Sequence, residues 1–93
     1  MIKTFKCKNT EKLFNRQPGK KFPAAVKRVM LRKLIMLHAA IDVNDLRVPP
    51  GNRLKPLTGN RKGEWSIRVN DQWRVCFKWE NGNAYGVKIE DYH

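Results

Sequence analysis

Arg68 and Arg74 stand close together in W-S-I-R-V-N-D-Q-W-R-V-C-F-K-W, and the chain closes on Glu90-Asp91-Tyr92-His93. An acid, a phenol, an imidazole and two guanidinium groups are the kinds of group that metal-free RNA cleavage needs. That reaction calls for a base for the ribose 2′-hydroxyl, a cation for the charge developing on phosphorus, and an acid for the departing 5′-oxygen. A second basic set lies upstream in R-V-P-P-G-N-R-L-K-P-L-T-G-N-R-K-G-E, residues 47–64, which carries Arg53, Lys55, Arg61 and Lys62. Connections this long are uncommon in a compact domain unless they serve function, so this one is read as a binding loop. The residues alone leave open whether this basic, RNA-binding chain also cuts.

The elements that must position these groups follow from a period of two. Trp65, Ile67 and Val69 alternate with Ser66, Arg68 and Asn70; Trp73, Val75, Phe77 and Trp79 alternate with Arg74, Cys76 and Lys78. A two-residue turn between the runs would pair core residues with polar ones, which a half-buried sheet does not allow. A loop of residues 70–72 instead pairs Val69 with Trp73, Ile67 with Val75 and Arg68 with Arg74. Two arginines facing each other cost about 0.2–1 kcal/mol, so either both splay into solvent or an anion sits beside them. Asn81-Gly82 marks a second hairpin, after which Tyr85, Val87 and Ile89 are expected on the core face and Lys88, Glu90 and Tyr92 on the arginine face. A strict two-residue turn gives the opposite parity, so a longer loop or a bulge is required. On that register Glu90 opposes Arg74.

Upstream, M-I-K-T-F-K-C reads as a first strand, and Asn9 or Thr10 can cap a short helix that ends before Pro18-Gly19. In K-K-F-P-A-A-V-K-R-V-M-L-R-K-L-I-M-L-H-A-A-I-D, Pro23 suits the first helical position. Val26, Met30, Leu34, Leu37 and Ile41 then form one apolar stripe. Lys27, Arg28 and Arg32 read as a solvated face, His38 as a surface or packing residue rather than a catalytic one, and R-L-K-P-L as a short additional strand.

Ninety-three residues suffice for one domain, 1–93, of α+β class with a single core. Lys and Arg number 20 against 8 Asp and Glu, a net charge of +12. Such an excess points to a polyanionic partner, nucleic acid first, ahead of an acidic protein or an anionic membrane surface. No stretch approaches the ~18 apolar residues of a membrane span, and the N-terminus lacks a leader's apolar core, so a cytoplasmic protein is expected. Cys7 and Cys76 are far apart without metal-ligand spacing and read as free thiols.

L-K-P-L-T-G-N-R-K-G-E-W-S-I-R-V-N-D-Q-W-R, the terminal D-Y-H and, at the front, M-I-K-T-F-K-C-K-N-T-E-K-L-F and P-P-G-N-R-L together resemble HigB-type toxins, the plasmid-maintenance killer branch of the RelE/ParE superfamily. The resemblance spans nearly the whole chain. It implies a small RelE-like fold with two N-terminal helices on a mainly antiparallel sheet. It also implies a ribosome-dependent mRNA endonuclease that needs no metal or cofactor and acts in the ribosomal A site. A helix-turn-helix antitoxin would silence it, and the pair would bind operator DNA. By position, Arg74, Asp91, Tyr92 and His93 match the family's catalytic residues, with His93 suited to proton transfer near neutral pH. Arg68 is assigned to phosphate, with Arg53, Lys55, Arg61 and Lys62 as further RNA contacts. The chain departs from the pattern at Lys55, where well-known members carry histidine, and at Thr58, where they carry lysine. An ordinary lysine, with a pKa of about 10.4, is a poor general base, so a noncatalytic RNA- or ribosome-binding inhibitor is the competing reading. Gyrase poisoning, known in the ParE branch, ranks third.

Overall fold

The computed structural model describes residues 1–19 and 21–91. Two helices, α1 (Lys8–Phe14) and α2 (Ala24–Ala39), precede four strands: β1 (Lys55–Pro56), β2 (Glu64–Arg68), β3 (Trp73–Glu80) and β4 (Asn83–Asp91). The strands form one sheet in the order β1-β2-β3-β4, every pair antiparallel. Among the described residues no helix is long and apolar enough to cross a membrane.

The helix side carries the core. Met30, Leu34 and Leu37 of α2 are fully buried against Ile67, Val75, Phe77 and Val87 of the sheet, the stripe that the spacing predicts. Pro23 precedes the helix as its cap rather than opening it. Ile41 departs from the stripe and is 82% exposed. The backbone turns extended at Ala40, so the helical period stops before Ile41 is reached, and Leu46 from the 3-10 turn Val43–Arg47 joins the core instead. His38 packs as expected: its Nδ1 accepts the Ile2 amide at 3.1 Å and its ring lies 5.3 Å from that of Phe14.

The first seven residues are less regular than a strand. They join β4 through two parallel bridges, Ile2 to Ala84 and Phe5 to Val87. Thr10, expected as a cap, is fully buried inside α1, and its hydroxyl accepts the Ile89 amide at 3.0 Å, tying the helix to β4.

The hairpins decide which side chains share a face. Residues 70–72 close the first, Arg68 pairs with Arg74, and the Val69 amide donates to the Trp73 carbonyl at 2.9 Å. The second closes through Asn81-Gly82, both at positive φ (51° and 78°), the tight turn that suits strand twist. The parity conflict is resolved further along. Between the pairs Lys78–Tyr85 and Cys76–Lys88, two residues of β4, Gly86 and Val87, face Phe77 alone. Gly86 takes the left-handed φ of 58° that such a bulge requires. Its amide donates to the Thr4 hydroxyl at 2.7 Å, between the two parallel bridges. Because the bulge flips parity, the expectation for Tyr85 fails: Ala84, opposite Trp79, is fully buried, and Tyr85 shares the face of Lys78.

Candidate active site

The face of the sheet turned away from the helices is built from cross-strand rows. Arg68, Arg74 and Glu90 form one; Lys55, Ser66, Cys76 and Lys88 form the next; Glu64, Lys78 and Tyr85 form a third. Alternation along four strands thus gathers onto one surface residues that lie far apart in the chain.

Arg74 sits in this face only 8% exposed. Its Nε donates to the Ser66 hydroxyl at 2.9 Å, and its Nη2 donates to the Arg53 carbonyl at 2.9 Å and to the Ser66 carbonyl at 3.4 Å. Ser66, read from sequence as an outward polar residue, is fully buried beneath it. Arg53, Lys55 and Lys62 are exposed, and the contribution of Arg53 to Arg74 is its main chain. Arg68 relieves the arginine pair by turning to Asp71 in the hairpin loop, an ion pair whose acid is entirely exposed. Such a surface pair adds little stability and yields readily to a stronger anion.

Arg61, expected among the RNA contacts, is held in an ion cluster. Its Nη1 and Nη2 donate to the two oxygens of Glu90 at 2.8 and 2.9 Å, and Nη2 also donates to Glu64 at 3.0 Å. These bonds hold the 3-10 turn Gly59–Arg61 over the sheet. They also raise the Arg61 pKa, Glu90 contributing most and Glu64 next. For Glu90, burial opposes the charged form. Hydrogen bonds from Arg61 and Cys76 and the charges of Arg61 and Lys88 outweigh it, so the carboxylate lies below its usual range. The Cys76 thiol, buried and facing Glu90 at 3.4 Å, is pushed up to about 12.

Asp91 pairs with Trp73, one residue beyond the Arg74–Glu90 pair, and so takes the opposite side of β4 from Glu90. Its carboxylate accepts from Gln72 Nε2 at 3.1 Å. The register therefore does not seat Asp91 beside Arg74. Tyr92 and His93 lie outside the described residues. The structure brings together Arg68, Arg74 and Lys55 and adds Ser66, which sequence reasoning missed. Its signal was the parity that sets Ser66 on the same face as Arg74, one row along.

The model of RelE-like toxins of the type II toxin–antitoxin system HigB matches residues 3–93. The chain is 37% identical over 93 residues to "Endoribonuclease HigB" of Proteus vulgaris, covering 100% of both. It is 44% identical over 70 residues to "Toxin HigB-1" of Vibrio cholerae, covering 75% of this chain and 74% of that one. The fold is similar to that of a YafQ mutant from E. coli, with a TM-score of 0.67 at 16% identity over 98% of this chain and 91% of that one. It also resembles the YoeB/ParE toxin from Agrobacterium tumefaciens, with a TM-score of 0.56 at 14% identity over 99% and 98%. A family match over residues 3–93 and a relative aligned end to end, on a sheet that presents Arg74 as described, lead to one conclusion: the chain belongs to the HigB family of RelE-like type II toxins.

Proposed function

We propose that this toxin, an mRNA endonuclease by its family, cuts its substrate on the translating ribosome with Arg74 as the cation that meets the transition-state phosphate. The observation that carries this reading is the oriented guanidinium of Arg74, held from behind by Ser66 and the Arg53 carbonyl in a face shared with Arg68 and Lys55. Preorganised charge of this kind is often the largest single contribution to such a reaction. Arg68 exchanges Asp71 for a phosphate oxygen, and Lys55, Lys62 and the Arg53 side chain guide the backbone. Arg61 acts behind them, bracing the loop through Glu64 and Glu90. His93 is assigned proton transfer and Tyr92 contact with an unpaired base. Asp91 anchors the strand end that leads to them. The reading assigns no step to a metal.

The toxin is paired with an antitoxin, as its family requires; we assign that partner to the helix-turn-helix class, with operator binding by the pair. The test is cleavage of a translated message by purified toxin with and without programmed ribosomes. Cuts in register with codons, present only with ribosomes and absent for Arg74→Ala, are expected. Uncut message at stoichiometric toxin would overturn the reading, and translation arrest on intact message would favour the noncatalytic binder that Lys55 and Thr58 suggest.

A further inference from the structure

Behind the active face lies a buried polar pair that the chemistry above does not use. Asn52 is fully buried and Lys33 only 8% exposed. The Asn52 Oδ1 accepts from the Lys33 ammonium on α2. Its Nδ2 donates to the Leu46 carbonyl at 3.1 Å and the Val48 carbonyl at 3.5 Å. Burying an amide and an ammonium is unfavourable, and an apolar residue could fill the same space without that cost. The pair therefore calls for a reason beyond packing.

The next residue supplies one. Arg53 follows the 3-10 turn Pro50–Asn52 and adopts a left-handed conformation, φ 44° and ψ 54°, which is strained for a residue with a side chain. In that conformation its carbonyl meets Arg74 Nη2 at 2.9 Å. Clamped to α2 and to the loop carbonyls on either side of Arg47, Asn52 is the fixed point from which the Arg53 carbonyl is aimed.

We propose that Asn52 and Lys33 are positioning residues for Arg74, holding the Arg53 main chain in the conformation whose carbonyl orients the guanidinium. The inference rests on the role given to Arg74 above. Asn52 and Lys33 touch no substrate, and their effect passes through one carbonyl. The line of bonds runs from Lys33 to Asn52, along the main chain to the Arg53 carbonyl, and on to Arg74, joining helix, loop and strand.

The experiment compares wild type, Asn52→Ala, Lys33→Met and Arg74→Ala in single-turnover cleavage on programmed ribosomes. It also follows the Arg74 Nε–H resonance of the isolated toxin. Asn52→Ala is expected to lower the maximal rate about 10- to 100-fold, the scale of a small misplacement at a reacting centre. The half-saturating ribosome concentration should stay put and the Arg74 resonance should move. In an Arg74→Ala background the same change should add nothing, since both remove one function. Lys33→Met should act in the same direction and carries the test if Asn52→Ala does not fold. A folded Asn52→Ala or Lys33→Met protein that cuts at the wild-type rate, with Arg74→Ala strongly slowed, would overturn this inference alone. Wild-type cutting by Arg74→Ala would overturn the role of Arg74 and this inference with it.

Discussion

Arg61 gives both arms of its fork to Glu90 and two further bonds to Glu64, whereas Arg74, on the same side of the sheet, donates to the Ser66 hydroxyl and to main-chain carbonyls. Two carboxylates neutralise a guanidinium as they hold it. A hydroxyl and a carbonyl oxygen orient one through bonds that bring no opposite charge of their own. The same residue type is thus held by carboxylates at one place and by a hydroxyl and main-chain carbonyls at the other. One face of the sheet accommodates both arrangements.

The comparison breaks hardest at Arg74. Arg74→Ala should reduce the cleavage rate about 10²–10³-fold, the scale of losing one preorganised donor, while Arg61→Ala should leave most of the rate and lower the melting temperature instead. Rapid-quench cleavage and thermal melts of both proteins check this, and equal rate losses would erase the distinction.

Next in size is Glu90→Gln, which leaves Arg61 without its main partner and should destabilise the fold by about 1–3 kcal/mol. Glu90 is held below the ordinary carboxylate range. Its contribution is therefore full above the unfolded value of about 4.3 and is lost as pH falls through the lower folded value. The gap in melting temperature between wild type and Glu90→Gln should accordingly be constant near neutrality and close in acid. A gap that persists unchanged at the acid end would remove Glu90 from the ion cluster.

Ser66→Ala sharpens the contrast on the other side. It removes one charge-assisted bond to Arg74 for about 1.5 kcal/mol of stability, and should slow cleavage without changing ribosome binding. The smallest effect concerns the thiols. Cys76, buried and pushed up to about 12, should resist iodoacetamide at pH 8 while Cys7 is alkylated, as peptide mass mapping would show; equal labelling would mean that the outer face opens.

Much of the fold is legible in the residue pattern, because burial enforces periodicity. The stripe Met30, Leu34 and Leu37, the hairpin loop at residues 70–72 and the Arg68–Arg74 and Arg74–Glu90 pairs all follow from keeping apolar residues on one side. The pattern misleads where a local rule yields to tertiary need. Thr10 has the chemistry of a cap but bonds to β4, Ile41 continues a helical period after the helix has ended, and Tyr85 loses the inner face to Ala84 across the Gly86 bulge. The candidate site divides in the same way. Arg74 and Arg68 stand out as cations in alternating strands, while the partners that govern them come from elsewhere in the chain.

Residue types and their alternation determined the α+β class, the basic character and the register that opposes two arginines, while the motifs L-K-P-L-T-G, W-S-I-R-V-N-D-Q-W-R and D-Y-H carried the resemblance to HigB toxins. Tertiary structure decided which arginine is braced by carboxylates and which is aimed by the main chain. Glu90 meets Arg61 rather than its strand neighbour Arg74, Asp91 falls on the far side of β4, and the Arg53 carbonyl reaches Arg74. The physical reason is range. Hydrophobic alternation acts along a few residues and survives in the sequence, whereas a guanidinium chooses among acceptors brought to it by loops and turns whose closure depends on the whole chain.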